Sequence, residues 1–246
     1  MSESFPARDL GRADLPDRRI VRRLFEGLAP RYNGVLLAYS VGQDLRWKDV
    51  LIRGVHPKRG ERALDLACGT GLLLDRLAKV LGETHAVGAD INRSMLLEMR
   101  RGGTTHPVVQ SDAEQLPLAS QAFDIVTAGY LLKYVELDRF FLEVARVLRP
   151  GGRFGGYDFS RPVRGTPAGD LYSLYLHRVL PWIGRGRTVE RNSWRSVFDF
   201  LPQVAESSGW EDRVRGSLDR AGFVGVELVP SLGGAITLVW AQKGRA

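Results

Sequence analysis

Hydrophobic residues fall into two rhythms along this chain. Between Arg62 and Phe159, short apolar runs of strand length alternate with stretches of helical period. The alternation predicts strands at 62–67, 85–89, 107–111, 123–129 and 153–159, with helices at 71–81, 93–100 and 138–148 between them. The last helix is the clearest. Phe140, Phe141, Val144, Val147 and Leu148 form one apolar face, and Pro150-Gly151-Gly152 stops it. Strand and helix in turn argue for a parallel sheet with right-handed crossovers.

The flanks read differently. Residues 1–16 are polar, carry Pro6 and Pro16, and are expected to be poorly ordered. From Asp17, Ile20, Val21, Leu24 and Leu28 recur at helical spacing, with Arg18, Arg19, Arg22 and Arg23 between them. Ala29-Pro30-Arg31-Tyr32 breaks this helix, and a second helical stretch runs from about Asp44 to Val55. Residues 161–210 are too long for a simple connection. With helices expected at 170–180 and 192–200, they read as a cap over a substrate. A helix at 211–221 and strands at 223–229 and 235–241, separated by Gly233-Gly234, predict a closing antiparallel hairpin. The organisation expected is one domain over 17–246, with 17–58 as a helical cover and 161–210 as a cap insertion.

The chemistry sits at the ends of these strands. Leu64-Asp65-Leu66-Ala67-Cys68-Gly69-Thr70-Gly71 runs an apolar strand into a glycine turn, and the second strand ends at Asp90. This is a nucleoside-binding layout. Glycines let the backbone approach the ligand, and the acid after the second strand can hold two ribose hydroxyls. Leu74 stands where a dinucleotide fingerprint has its third glycine. Asp65 before the turn would repel a pyrophosphate and suits a cationic amino end, which favours S-adenosylmethionine. Asp112, after the third strand, can accept from an exocyclic amine such as that of adenine; alone it would read as a turn acid. Gly129 ends the fourth strand. Ligands in open α/β sheets sit at the carboxyl ends of strands, so Asp65, Gly69, Asp90, Asp112 and Gly129 are expected on one edge.

These segments resemble class I methyltransferases dependent on S-adenosylmethionine. More closely, the chain is similar to the quinone-biosynthesis C-methyltransferases that act on demethylmenaquinol or its ubiquinone counterpart. The similar stretches are Phe25 to Tyr32, Ser40 to Trp47, Asp65 to Gly71, Gly88-Ala89-Asp90, Ser111 to Pro117, Arg146 to Gly152, Phe159-Ser160-Arg161-Pro162, Leu180-Pro181 and Gly233-Gly234. The resemblance implies a Rossmann-like fold with seven strands in the order 3-2-1-4-5-7-6, one of them antiparallel. It implies that Asp65 faces the methionine end and that Gly69, Thr70 and Gly71 line the turn. Asp90 would hold the ribose, Asp112 with Ala113 the adenine, and Tyr32 would cover the cofactor. Gly129 stands where the family often has serine. After the fourth strand the family commonly reads F-G-x-R-N-V, whereas this chain reads Tyr130-Leu131-Leu132-Lys133-Tyr134-Val135. That segment is expected to face the acceptor, so the departure bears on which acceptor is used.

Methyl transfer to a hydroquinol carbon is helped by a base for the phenolic proton and a cation for the phenolate. Asp158 and His177 are the candidate bases, and Lys133 and Arg161 the candidate cations. A methyltransferase acting at carbon or oxygen of a small aromatic or polyketide-like metabolite is the alternative. A cyclase or non-catalytic protein that keeps the fold stays open, because fold does not fix chemistry.

Composition adds bounds. The 246 residues, 44% hydrophobic, suit one α/β domain with a sizeable core. No apolar run reaches the roughly 18–20 residues that span a bilayer. The N-terminus has no signal-peptide core, and the single cysteine, Cys68, excludes an internal disulfide and offers no metal cluster. A cytoplasmic protein is expected. The net charge of +7 suits either an ordinary arginine-rich surface or an anionic partner. The arginines at 18–23, with Ile20, Leu24 and Phe25 opposite, could rest on anionic lipid, giving peripheral contact at the inner face of a membrane. A nucleic-acid substrate is not expected, since Gly129-Tyr130-Leu131-Leu132 lacks the Pro-Pro-aromatic signature of amino-directed enzymes.

Overall fold

The computed structural model describes residues 18–180 and 209–245. Seven strands form one sheet: β1 (Ala63–Leu66), β2 (Ala86–Asp90), β3 (Val108–Gln110), β4 (Phe123–Gly129), β5 (Leu148–Phe159), β6 (Phe223–Ser231) and β7 (Ile236–Lys243). Their order is β3-β2-β1-β4-β5-β7-β6. β1 to β5 run parallel, and β7 pairs antiparallel with both β5 and β6. The sheet order therefore reverses between β1 and β4, which opens a crevice at their carboxyl ends.

Helices cover both faces. On one lie α1 (Arg18–Leu28), α2 (Tyr32–Tyr39), α3 (Asp44–Gly54), α4 (Leu72–Leu81), α5 (Arg93–Arg101) and α7 (Pro167–Leu174). On the other lie α6 (Leu137–Val147) and a helix over Trp210–Arg220, here α8. β1 is buried on both faces, as a central parallel strand should be. The capping chemistry is local. The Asn92 side chain accepts from the Ser94 and Met95 amides at the start of α5, and Glu136 does the same for Asp138 and Arg139 at α6. Trp210, fully buried, donates from Nε1 to the Phe159 carbonyl at 2.7 Å and ties α8 to the end of β5.

Several expectations shift. The expected break at Ala29–Tyr32 is a single 3-10 turn, after which α2 continues the helical cover. β5 begins at Leu148, directly after α6, with a register irregularity in its pairing to β4. The expected helix at 170–180 starts at Pro167, capped by Thr166, and widens into a π turn over Tyr175–Val179. The apolar side of α1 is turned in part toward the protein. Leu24 and Leu28 are buried in the core, and the Phe25 ring packs edge-on to Tyr32 and Tyr134. No helix among the described residues is long and apolar enough to cross a membrane. The expectations for 1–16, for the loop Gly184–Arg187 and for the helix at 192–200 lie outside the described residues.

Candidate active site

The glycine turn after β1 is built from left-handed backbone. Ala67, Gly69 and Gly71 all have positive φ, of 52°, 56° and 88°. A Cβ on Gly69 would meet the Tyr32 ring at 3.8 Å and the Ala67 carbonyl at 3.9 Å, ordinary contacts that leave room for a ligand there. Gly71 differs. It lines none of the cavities described below, and a Cβ on it would meet Met99 Cγ at 2.8 Å. It starts α4 and lets α5 pack close.

Three cavities meet at the carboxyl edge of the sheet. The largest, about 280 Å³, is lined by Gly69, Asp90, Asp112, Ala113 and Gly129 from the strand ends, with Arg18, Arg22 and Phe25 of α1 above them. A smaller one, about 30 Å³, holds Lys48, Asp65, Gly69 and Thr70. A third, also about 30 Å³, is walled by Phe25, Tyr32, Tyr39, Tyr130, Tyr134 and Phe159, with Lys133 as its charged group. Tyr32 and Tyr130 border all three. Tyr130 is held in a left-handed conformation, φ 58°, that an aromatic residue seldom adopts. Its hydroxyl donates to Asp44 at 2.9 Å, and its ring stacks on Phe159 at 5.0 Å. Strain retained at a cavity wall is the pattern of a functional position.

Asp65 is the decisive acid. It is 1% exposed; Oδ1 accepts from the Thr127 hydroxyl at 2.7 Å, and Oδ2 has no hydrogen-bond partner. Burial raises its pKa to about 7, against the Thr127 hydrogen bond and the Lys48 charge, which lower it. A buried carboxylate oxygen without a partner invites a cationic donor. Lys48 lines the same cavity from α3, buried, and pairs with Asp44 at 2.5 Å. Desolvation lowers its pKa. One anion and one cation side by side match an amino-acid end, with its ammonium and carboxylate.

Asp90 uses both oxygens on its own backbone. Oδ2 accepts from the Gly69 amide at 2.8 Å and Oδ1 from the Asn92 amide at 2.7 Å. Burial still pushes its pKa up to about 6. Each oxygen keeps a second lone pair for a diol. Asp112 is more occupied than expected. Oδ1 accepts from the Glu114 amide at 2.9 Å and Oδ2 from Arg18 at 3.0 Å. Arg18 also pairs with Glu114, so the start of α1 is latched over this end of the large cavity. An adenine amine would share an oxygen with these donors rather than meet an empty acceptor. The Thr70 hydroxyl donates to Asn33 at 2.6 Å and joins the turn to α2.

The four expected catalytic residues separate. Lys133 and Asp158 form a fully buried ion pair with each other. Asp158 also accepts from the Lys133 and Phe159 amides, at 3.2 and 2.7 Å. Desolvation lowers the pKa of Lys133 and raises that of Asp158, each against the pull of its partner. Only Lys133 reaches the aromatic cavity, so Asp158 is its counter-ion and not a base in contact with an acceptor. Arg161 is paired on the surface with Glu211 and Asp212 of α8. His177 is exposed on the π turn. Neither lines any of the three cavities. Both depart from their expected roles, because chain order beside a motif does not set which way a side chain leaves it.

Sequence reasoning missed Lys48 and Asn92, whereas Tyr130 and Tyr134 lie in the segment expected to face the acceptor and line the large and aromatic cavities. A lysine at helical spacing reads as surface, and only the fold shows this one to be buried.

The donor set fits S-adenosylmethionine on the unpartnered Asp65 oxygen, the open Gly69 turn and the Asp90 acid. The family model described as the ubiE/COQ5 methyltransferase family matches residues 12–243. The chain belongs to this family. It is 31% identical over 227 residues to the ubiquinone/menaquinone biosynthesis C-methyltransferase UbiE of Proteus mirabilis, covering 89% of this chain and 88% of that one. Among solved structures, the 4+2 cyclase SpnF superposes with a TM-score of 0.63 at 17% identity, covering 96% of this chain and 99% of that one. A methyltransferase of Aquifex aeolicus dependent on S-adenosylmethionine superposes with a TM-score of 0.53 at 19% identity, covering 79% and 88%. These structures establish the fold. The family establishes an enzyme that transfers methyl groups from S-adenosylmethionine.

Proposed function

We propose that this enzyme methylates a ring carbon of a prenylated hydroquinone such as demethylmenaquinol. The observation that carries this reading is the aromatic cavity, where Lys133, the one charged side chain among the described residues of its wall, is buried against its own counter-ion. Aromatic walls favour a flat ring. An ammonium held among them favours a phenolate.

When bound, S-adenosylmethionine supplies an electrophilic methyl group on a sulfonium. Asp65 and Lys48 would hold its amino-acid end, Asp90 would take the ribose hydroxyls, and Asp112 with Ala113 would border the adenine. Gly69 and Gly129 let the backbone lie close. Tyr32 and Tyr130, on the walls common to all three cavities, would position the acceptor ring and keep bulk water out. A hydroquinol that enters as its phenolate, the proton already given up to solvent, has a nucleophilic ring carbon beside the oxygen. Lys133, steadied by Asp158, stabilises the resulting oxyanion. Methylation of that carbon would release S-adenosylhomocysteine, and the carbon's own hydrogen would leave as a proton that the oxyanion can take up, restoring the hydroquinol.

Purified protein, S-adenosylmethionine and demethylmenaquinol, reduced or oxidised, test this by mass spectrometry. A product one methyl heavier with the reduced quinone alone is expected. No product, with cofactor still bound, would sink the quinol reading and turn the search to small soluble aromatic acceptors. A prenylated acceptor also implies contact with lipid. Flotation with anionic liposomes should carry a fraction of the protein upward, and none in their absence.

A further inference from the structure

Among the polar groups on the wall of the aromatic cavity is a tyrosine hydroxyl with no role in the mechanism. Tyr134 is 9% exposed, and its hydroxyl is buried without a hydrogen-bond partner. Its backbone is fixed by a turn, the Tyr134 amide donating to the Leu131 carbonyl at 2.9 Å. Its ring is fixed twice, edge-on to Phe25 at 5.8 Å and beneath the Lys133 ammonium at 4.5 Å. The side chain lines both the large cavity and the aromatic one. A phenylalanine would make the same ring contacts and avoid the cost of an unsatisfied hydroxyl. Tyr134 and Asp65 are thus two buried unpartnered groups on the walls of one connected site. The second is accounted for by an ammonium; the first needs a ligand atom of its own.

We propose that Tyr134 is the acceptor-orienting residue: its hydroxyl donates a hydrogen bond to an oxygen on the acceptor ring, at the wall where the cofactor and acceptor cavities adjoin. The oxygen it takes is the one beside the carbon that receives the methyl. Tyr134 then sets the face and rotation of the ring, while Lys133 answers the charge that forms on it. Selectivity follows. Aromatic acceptors with an oxygen substituent on the ring bind in register, and hydrocarbon isosteres leave the Tyr134 hydroxyl unpaired. This inference rests on the aromatic cavity being the acceptor pocket, but not on the acceptor being prenylated.

The test uses the full chain loaded with S-adenosylhomocysteine and non-reacting probes, followed by ligand-observed NMR. The ratio of phenol to toluene affinity should fall about fivefold in Tyr134→Phe, the size of a neutral hydrogen bond. Affinity for S-adenosylhomocysteine should stay within about twofold. An unchanged ratio overturns the proposal. So does a parallel loss of S-adenosylhomocysteine, which would place the hydroxyl on the cofactor. A measurement on the unaltered protein needs no variant to fold. Anisole, which accepts a hydrogen bond but does not donate one, should bind about fivefold more tightly than its isostere ethylbenzene. Equal affinities overturn the proposal. If demethylmenaquinol is not methylated while these preferences hold, the quinol reading fails and the role of Tyr134 stands.

Discussion

Thr127 and Asp65 are register partners on the adjacent parallel strands β4 and β1, and the Thr127 hydroxyl satisfies one oxygen of the Asp65 carboxylate while the other stays unpaired. The pairing makes the acid half-finished. Parallel strands bring two side chains of one sheet face together, and the switch in strand order beside them leaves room for a ligand to complete the set.

Cofactor affinity should therefore depend on pH. Burial raises the Asp65 pKa to about 7, with Lys48 of α3 pulling it down and Asp90 of β2 pushing it up. Below that pH the acid is protonated and cannot pair with an ammonium. Calorimetry with S-adenosylhomocysteine should show affinity rising from pH 6 to a plateau above pH 7. Asp65→Asn should flatten that limb and weaken binding by about 10- to 100-fold at pH 8, the cost of losing a charged hydrogen bond.

The free protein should behave in the opposite sense. A carboxyl whose folded pKa lies above its unfolded value, 3.8 against about 7, favours the folded state most at low pH. That contribution is lost as pH rises through 7. Without ligand, Asp65→Asn should melt higher than the unaltered protein at pH 8, and the difference should shrink at pH 5.

Thr127→Val removes the hydrogen bond that lowers the Asp65 pKa. The pH midpoint for S-adenosylhomocysteine binding should move upward, while the plateau affinity changes little. A fall in plateau affinity with an unmoved midpoint would show that Thr127 touches the ligand instead.

The Lys133–Asp158 pair should be costly to halve. Lys133→Met or Asp158→Asn alone leaves one buried charge uncompensated, a loss of about 3–5 kcal/mol. The double variant should recover much of that stability in urea unfolding. Its methyl transfer should stay impaired, because the cation is gone.

Gly129 is spare of side chain for a packing reason. A Cβ there would lie 3.0 Å from the Tyr157 ring, which is fully buried and in reach of Asp44 at 3.4 Å. Gly129→Ser, the residue common in the family, should destabilise the chain by about 1–3 kcal/mol through overpacking. Calorimetric unfolding checks it.

Much of this architecture was legible in the residues. The strand runs and the glycine turn mark β1 to β5, and Asp65, Gly69, Asp90, Asp112 and Gly129 all reach the cavities at one sheet edge. What the chain hid was side-chain company. α2 escaped notice because Tyr32 to Tyr39 carries asparagine and glycine and has apolar residues on the buried and exposed sides alike, Leu36 inside and Leu37 outside. Lys48 reads as a surface lysine until α3 packs it under Tyr130 and Tyr157. Arg161 finds its acids 50 and 51 residues away, and Arg18 reaches Asp112 across 94. Spacing along a chain cannot show such pairings; they arise only when the sheet closes.

The most direct measurement is the destination of the methyl group. Turnover with ¹³C-methyl-labelled S-adenosylmethionine and reduced demethylmenaquinol, read by NMR of the product, should show the label as an aryl methyl on the ring carbon beside a hydroxyl. A label appearing as a methoxy group, or no label transferred while the protein binds S-adenosylhomocysteine normally, would contradict the C-methylation of a hydroquinone.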